Sequence, residues 1–373
     1  MKYFGYYDTV AERRLMSPAA VNKMNYICSV LKRLGYKVEI ISASYTLGTK
    51  FSPSQKEVIE PEIFVKYFPT FPRGNILKKI WSVLTINFFL LLEILFHVKR
   101  NETVIVYHSL LYMNMIGLAK KIKKFKMILE VEEIYSDVIG NEKKRKREIE
   151  YIKTAEAYIF PTTLLNDLLN KANKPYCLIH GTYHVEENKN LSFDDDKIHC
   201  IYSGTLDSRK GGAMAAVESA KYLDSRYHIH ILGFGSESEK QDLLQIIDKI
   251  KSKTSCEISF DGLVTGKQYI EFIQKCQIGL STQDPKANFN NTSFPSKILT
   301  YLSNGLRVVS VKIPVVEKSD VSSLLFFYDE QTPEAIAKRI KGINVLELYD
   351  SRKCIEKLDE VFTKELNELI HKL

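Results

Sequence analysis

Short apolar runs alternate with amphipathic stretches along almost the whole chain, and no other feature constrains the fold as strongly. Strands that recur at helix-length intervals are joined by crossovers, so they build parallel sheets with helices on their faces. The first series opens with a strand at 2–6 (KYFGY) and a helix over 18–34 that Gly35 closes. Strands follow at 37–42 (KVEIIS), 103–107 (TVIVY), 126–131 (KMILEV), 157–160 and 177–179. A second series runs through 199–202 (HCIY), 227–232 (YHIHIL), 258–260, 278–281 and 307–311, and the last stretch, 351–373, reads as an amphipathic helix. Between the series lies HVEENKNLSFDDDK, 184–197, polar and without apolar period, the best linker in the chain. At 373 residues the chain is too long for one ordinary core. The expected architecture is α/β in two Rossmann-like domains, 1–183 and 198–354.

The net charge of +8, from 53 Lys and Arg against 45 Asp and Glu, is concentrated in KKIKKFK (120–126) and KKRKR (143–147). Such runs suit anionic lipid head groups, nucleic acid or phosphorylated substrates, and equally a solvated helix face. No RRM, KH or zinc-finger signature accompanies them, and the βα series argues against a nucleic-acid partner. The six cysteines form no C-x-x-C pair, a pattern that fits reduced thiols in a cytosolic protein. His180 and His184 stand four apart with no acidic or cysteine partner beside them, a weak metal signal. The N-terminus, MKYFGYYDTV, lacks the long apolar core of a signal peptide. The segment 80–98, IWSVLTINFFLLLEILFHV, has the length of a membrane span, but Asn87, Glu93 and His97 interrupt it. A buried or membrane-facing helix is expected there rather than a span.

Two glycine-bearing loops follow strands of the second series: SGTLDSRKGG, 203–212, and LGFG, 232–235. A glycine after a parallel strand lets a ligand approach the backbone at the sheet's carboxyl edge. Neither loop has the spacing of G-x-G-x-x-G or of a Walker A loop, and each alone is also a simple tight turn. Lys210, between Arg209 and Gly211, is expected at the start of the next helix, where a phosphate would meet it. The stretch TSFPSKILTYLSNG, 292–305, reads as a helix with Pro295 at its first position, Ile298, Leu299 and Leu302 as its buried stripe, and Gly305 as its stop. Ser293, Ser296 and Lys297 then ring its N-terminus. A cation there opposes the helix dipole by about 0.3–1 kcal/mol. Either an anion pairs with Lys297 or the lysine bends out to solvent.

In that order, SGTLDSRKGG, HILGFG, ISFDGLV and TSFPSKILTYLSNGLRVVS resemble the nucleotide-sugar domain of GT-B glycosyltransferases, specifically family 4. The resemblance is clear over 199–315 and architectural before that. It implies two Rossmann-like domains facing across a cleft, with a C-terminal helix near 355–373 returning toward the N-terminal domain. It also implies a retaining hexosyl transfer from a nucleotide-diphosphate sugar, expected to be UDP-linked, to a glycan or lipid-linked acceptor in bacterial surface polysaccharide synthesis. The donor is a co-substrate, and no further cofactor and no metal are implied. The acidic triplet 194–196 lies in the linker rather than in a metal-binding loop. The donor-binding positions carried over are Gly204, Thr205, Arg209, Gly233, Gly235, Gly262, Leu263, Thr292, Ser293, Phe294, Pro295, Ser296 and Thr300, with Lys210 and Lys297 acting on the leaving diphosphate. The chain departs from the family at three of them. The two motif glutamates fall on Thr292 and Thr300, and the phosphate-binding arginine falls on Thr205. The P-S-K sequence resembles a variant of bacterial polysaccharide transferases in which a lysine of this loop supplies the missing charge. Loss of both glutamates also leaves open a non-catalytic nucleotide-sugar-binding homologue or partner subunit.

In the first half, the family's histidine after the strand before the cleft corresponds to ILEVEEIYSD, near Glu132. Glu132 is the catalytic candidate of this half. Glu133 and Asp137 are candidates to orient an acceptor hydroxyl or stabilise a cationic sugar, or else belong to a solvated loop. His108, which closes TVIVYH, is either an acceptor-side residue or a core histidine. Arg13 and Arg14 lie in the first βα loop, within expected reach of a phosphate. The basic runs beside the apolar segment suggest peripheral contact with an anionic membrane, at the inner face of the cell membrane.

Overall fold

The computed structural model describes the whole chain except residues 11, 12, 73, 209, 287–289 and 291, with residues 138 and 139 described in their backbone alone. The chain forms two compact units, Met1–Ile179 with Val361–Leu373, and His180–Glu360. Each is an α/β unit built on a parallel sheet, the architecture that the alternating sequence pattern dictates.

The first unit holds β1 (Lys2–Gly5), β2 (Val38–Ser42), β3 (Gln55–Glu60), β4 (Ile63–Tyr67), β5 (Thr103–Tyr107), β6 (Lys126–Glu130), β7 (Ala157–Phe160) and β8 (Tyr176–Leu178). Their order in the sheet is β3-β4-β2-β1-β5-β6-β7-β8. All neighbours pair in parallel except β3 with β4. The inner strands are apolar runs because helices cover both faces, and Val104, Ile105 and Val106 are fully buried. The β3–β4 hairpin escaped the sequence reading. Its edge strand, QKEVIE, alternates exposed and half-buried residues and so carries no apolar run.

The helix Ile76–His97 sends Ile86, Leu90 and Ile94 into the core of this unit. One face is therefore packed against protein, which accounts for Glu93 in the apolar run: it is buried and paired with Lys66 at 2.5 Å. The opposite side leaves Ile76, Leu77, Ile80, Trp81, Leu84 and Phe88 exposed.

The second unit holds β9 (Ile198–Thr205), β10 (Tyr227–Phe234), β11 (Glu257–Gly262), β12 (Ile278–Ser281), β13 (Arg307–Val311) and β14 (Leu325–Tyr328). The order is β11-β10-β9-β12-β13-β14, all parallel. Counted from β9 this is 3-2-1-4-5-6, the doubly wound order of dinucleotide-binding sheets. Strand β9 runs further than the sequence pattern indicates and takes Gly204 and Thr205 into the sheet. The helix expected from Pro295 begins instead at Lys297 and ends at Ser303. Pro295 belongs to the preceding turn, where its carbonyl accepts the Ile298 N–H at 3.0 Å.

At the end of β9 and β10 the backbones touch. A Cβ at position 233 would stand 1.9 Å from the Gly204 carbonyl oxygen, so the strands close only with glycine there. Gly233→Ala is expected to lower stability by about 1–3 kcal/mol, as overpacking does. Gly117→Ala, inside the helix Met113–Lys123 with its nearest neighbour at 3.6 Å, is expected to raise it by about 0.5–1 kcal/mol. Paired thermal melts of the two variants check the contrast, and equal shifts would contradict the packing described.

Candidate functional site

In a doubly wound sheet the loops after the two central strands turn to opposite faces, and the gap between them is where ligands bind. In the second unit that point lies between β9 and β12. Gly204 stands one residue before the end of β9 there, and the loops after the two strands are tied together. Thr282 donates its hydroxyl to the Gly212 carbonyl at 2.7 Å, and the Asp284 N–H reaches the Lys210 carbonyl at 2.9 Å. Lys297 projects into this point from the start of its helix. Its Nζ lies 3.6 Å from the centroid of the Tyr202 ring and would be 3.0 Å from a Cβ at position 204. Tyr202 is buried, so the ammonium rests on an aromatic face with the bare backbone of Gly204 beside it.

Among the described residues no carboxylate pairs with Lys297. Burial, and after it the charge of Lys210, push its pKa down to about 7. The helix is only seven residues long, and desolvation, not the dipole, is what makes this cation unfavourable. Lys210 itself is exposed and lies two residues before the helix Gly212–Ser219, with Gly211 at φ 65° between them. Arg209 lies outside the described residues.

The other donor-side candidates surround the same edge of this unit's sheet or close to it. Gly233 ends the neighbouring strand region, and a Cβ at Gly235 would press on Leu206 and Glu239 at 2.9 Å. Gly262 closes β11 at φ 75°, and Leu263 after it is exposed. Thr205, Thr292, Ser293 and Pro295 are half-buried and Ser296 is exposed. Phe294 is buried and stacks on His180 at 4.9 Å, so it supports the loop rather than lining a surface. Thr300 turns its hydroxyl back to the Ser296 carbonyl at 3.5 Å. Positions 292 and 300 carry threonine hydroxyls where the motif has carboxylates.

The first unit has its own reversal, between β1 and β5, and a cavity of about 570 Å³ opens there. Its wall is apolar: Tyr6, Leu15, Met16, Tyr107, Leu110 and Met113 contribute. Lys144 and Arg147, exposed on the helix Glu142–Ile152, form its cationic rim. His108 stands in the wall, fully buried, with its Nε2 3.3 Å from Glu148 and neither ring nitrogen in hydrogen-bonding geometry. Burial lowers its pKa to about 4, so the ring is neutral at pH 7. Sequence reasoning noticed the KKRKR run but could not place two of its members on a pocket. The helix Ile76–His97 adjoins this cavity, because Asn87 donates to the carbonyl of the lining residue Leu111 at 3.1 Å.

Glu132 is held by Lys23 at 2.5 Å, and that ammonium also donates to the Ile179 carbonyl at 3.1 Å. Beside them Glu130 ends β6 fully buried and accepts the Tyr3 hydroxyl. Burial and the charge of Glu132 push the Glu130 carboxyl up. Neither Lys23 nor Glu130 was singled out in the sequence, although a glutamate closing the apolar strand KMILE was visible. Asp137 is exposed and paired with Arg145 at 2.6 Å, Glu133 is half-buried, and neither lines the cavity.

Two expectations need correction. Arg14 is fully buried rather than presented to a phosphate, and its terminal nitrogens donate to the Ser44 and Phe68 carbonyls and the Ser52 hydroxyl at 2.8–3.1 Å. Arg13 is held by Asp8 at 2.6 Å and Glu57 at 2.9 Å, a structural ion pair at the β3–β4 edge.

No protein-family model matches the chain, and no curated protein matches it. Solved structures do. The apo structure of OtsA matches with a TM-score of 0.67 at 10% identity, covering 99% of this chain and 97% of that one. An α,α-trehalose-phosphate synthase (UDP-forming) from Burkholderia vietnamiensis gives 0.64 at 8% identity, covering 100% and 99%. Anabaena HepE in complex with UDP and glucose gives 0.63 at 10% identity, covering 100% and 99%. The fold shared at these identities is that of the GT-B glycosyltransferases, and this chain has it.

The lowered pKa of Lys297 has a consequence for the empty protein. A lysine near 10.4 when unfolded and near 7 when folded binds fewer protons in the folded state, so stability falls as pH drops through that window. Lys297→Met keeps the stem and removes the charge. Melts between pH 7 and 10 should show the variant more stable near pH 7, with the difference shrinking toward pH 10; a variant less stable at both ends would contradict the assignment.

Proposed function

We propose that this protein is a glycosyltransferase that moves a hexose from a nucleotide-diphosphate donor, a UDP-sugar, to an amphiphilic acceptor with a lipid-linked phosphate. The single observation that carries the donor side is the half-buried Lys297 ammonium at the strand-order reversal, with no carboxylate paired to it among the described residues. An anionic diphosphate supplies the missing counter-charge, with Lys210 beside it. As the sugar departs the diphosphate gains charge, so both lysines act more strongly on the transition state than on the bound donor. The names of the structural neighbours, a UDP-forming synthase and a complex with UDP and glucose, support this donor class. Retention of anomeric configuration rests on the sequence resemblance to GT-B family 4.

The acceptor reading rests on the first unit. A cavity with an apolar wall and a Lys144–Arg147 rim suits an apolar chain ending in phosphate. The exposed apolar side of Ile76–His97, with the exposed Lys78 and Lys79 in the first turn of the helix, suits the surface of an anionic bilayer, where such an acceptor resides. On this reading the protein acts at the inner face of the cell membrane, in surface glycan synthesis, with Glu132, held by Lys23, on the acceptor side.

A second reading has one observation behind it: threonine at 292 and 300 removes both motif carboxylates. It makes the chain a nucleotide-sugar-binding homologue without turnover. Transfer assays with radiolabelled UDP-sugars and a prenyl-phosphate-linked acceptor separate the two. Lys297→Ala is expected to lower turnover by about 10²-fold, as loss of one preorganised donor does, with a smaller effect on the donor's KM. Donor binding without any transfer would favour the second reading, and normal turnover in the variant would refute the role of Lys297.

A further inference from the structure

The N-terminal edge of the second sheet carries a cluster that the transfer reading does not use. His228 and His230 alternate along β10, so both point to one face, and His199 is paired with His228 in the register of β9. One ring nitrogen from each lies within 4.8 Å of the other two. His199 and His230 are buried, and His228 is half-buried.

Two of these rings are each held by a carboxylate and face one another. His199 Nε2 is 2.7 Å from Asp195 Oδ1, and His230 Nδ1 is 3.2 Å from Asp261 Oδ2. The remaining nitrogens, His199 Nδ1 and His230 Nε2, face each other at 2.9 Å. A neutral imidazole has one N–H and one lone pair. If each ring gives its hydrogen to its carboxylate, the facing atoms meet as two lone pairs. A cation between them resolves that contact. The arrangement is also the one that orients metal-bound histidines, in which a carboxylate takes the N–H of the ring nitrogen that does not bind. Ser259 extends the network, donating to Asp261 at 2.8 Å and lying 3.0 Å from His228 Nε2 and 3.1 Å from His230 Nδ1. Glu257 lies 3.5 Å from His228 Nδ1 and adds a third carboxylate, offset by Lys197.

We propose that His199, His228 and His230 bind a divalent transition metal of the zinc class. Ligation at about 2.0–2.1 Å needs the facing nitrogens to open by a few tenths of an ångström, within the reach of ring rotation. The fourth position faces the half-exposed His228 side, where water completes a tetrahedron. The role is structural. His199 stands five residues before Gly204 on the same strand, about 16 Å from the donor edge at roughly 3.3 Å per residue. Asp195 belongs to the stretch that precedes β9, and Phe193 of that stretch stacks on His199 at 4.1 Å and on His230 at 4.9 Å. The metal therefore pins the approach to β9 onto the sheet.

The test uses the full-length protein, stripped with chelator and titrated with Zn²⁺ alone by calorimetry, with Co²⁺ absorption as a second readout. One equivalent bound, a raised melting temperature and the visible bands of tetrahedral Co²⁺ are expected. Asp261→Asn is expected to weaken binding by about 10–100-fold without unfolding the protein, in line with the loss of an orienting partner. His228→Gln, at the most exposed of the three positions, should abolish the tetrahedral Co²⁺ spectrum. No uptake by the parent protein, or uptake unchanged in both variants, overturns the proposal.

Discussion

Right-handed crossovers on a parallel sheet leave one place where adjacent strands send their loops apart, and both sheets of this protein are organised around that gap. In the second unit the gap falls between β9 and β12 and receives the ammonium of Lys297; in the first it falls between β1 and β5 and is an apolar cavity with a cationic rim. The chemistry of the two gaps differs because the residues that end the central strands differ. Gly204 stands one residue before the end of β9, which lets a side chain from another element reach the backbone. Tyr107 and His108 end β5, and their rings wall a pocket instead.

A cation held half out of water without a counter-charge is a cost that folding alone gives no reason to carry. The surrounding structure keeps it there. Tyr202 lies under the ammonium, and the buried Tyr301 on the same short helix accepts the Ser203 N–H at 2.8 Å, which fixes the helix to β9. Strain or desolvation kept in place by rigid neighbours is characteristic of sites built to receive a ligand. By contrast, several charged groups of the first unit pair with one another: Lys23 with Glu132, Arg13 with Asp8 and Glu57, Lys66 with Glu93. Those pairs set the shape of the unit and leave Lys144 and Arg147 as the cations facing its cavity.

The doubly wound architecture was legible because buried parallel strands are written as apolar runs, and TVIVY, KMILE and YHIHIL could be little else. The β3 edge was not, because QKEVIE packs one side only. Lys297 stood out from its neighbours Pro295 and Gly305, yet the reason offered by the sequence, the helix dipole, was the lesser one; burial is a property of the folded unit. The arginines show the same limit from the other side. Arg13 and Arg14 are adjacent in a loop after the first strand, which fits phosphate binding, but their carboxylate and carbonyl partners come from residues 8, 44, 57 and 68 and cannot be inferred from spacing. The pocket rim was hidden likewise, since a run of five basic residues does not say which two face inward.

The central claim is that Lys297 is kept deprotonated-prone until an anionic diphosphate arrives. Calorimetric titration with UDP at pH 8, repeated in buffers of different ionisation enthalpy, measures the protons exchanged on binding. With a free-state pKa of about 7, the account requires uptake approaching one proton in the parent protein and almost none in Lys297→Met. Binding of UDP with no proton uptake, or with the same uptake in the variant, would contradict it.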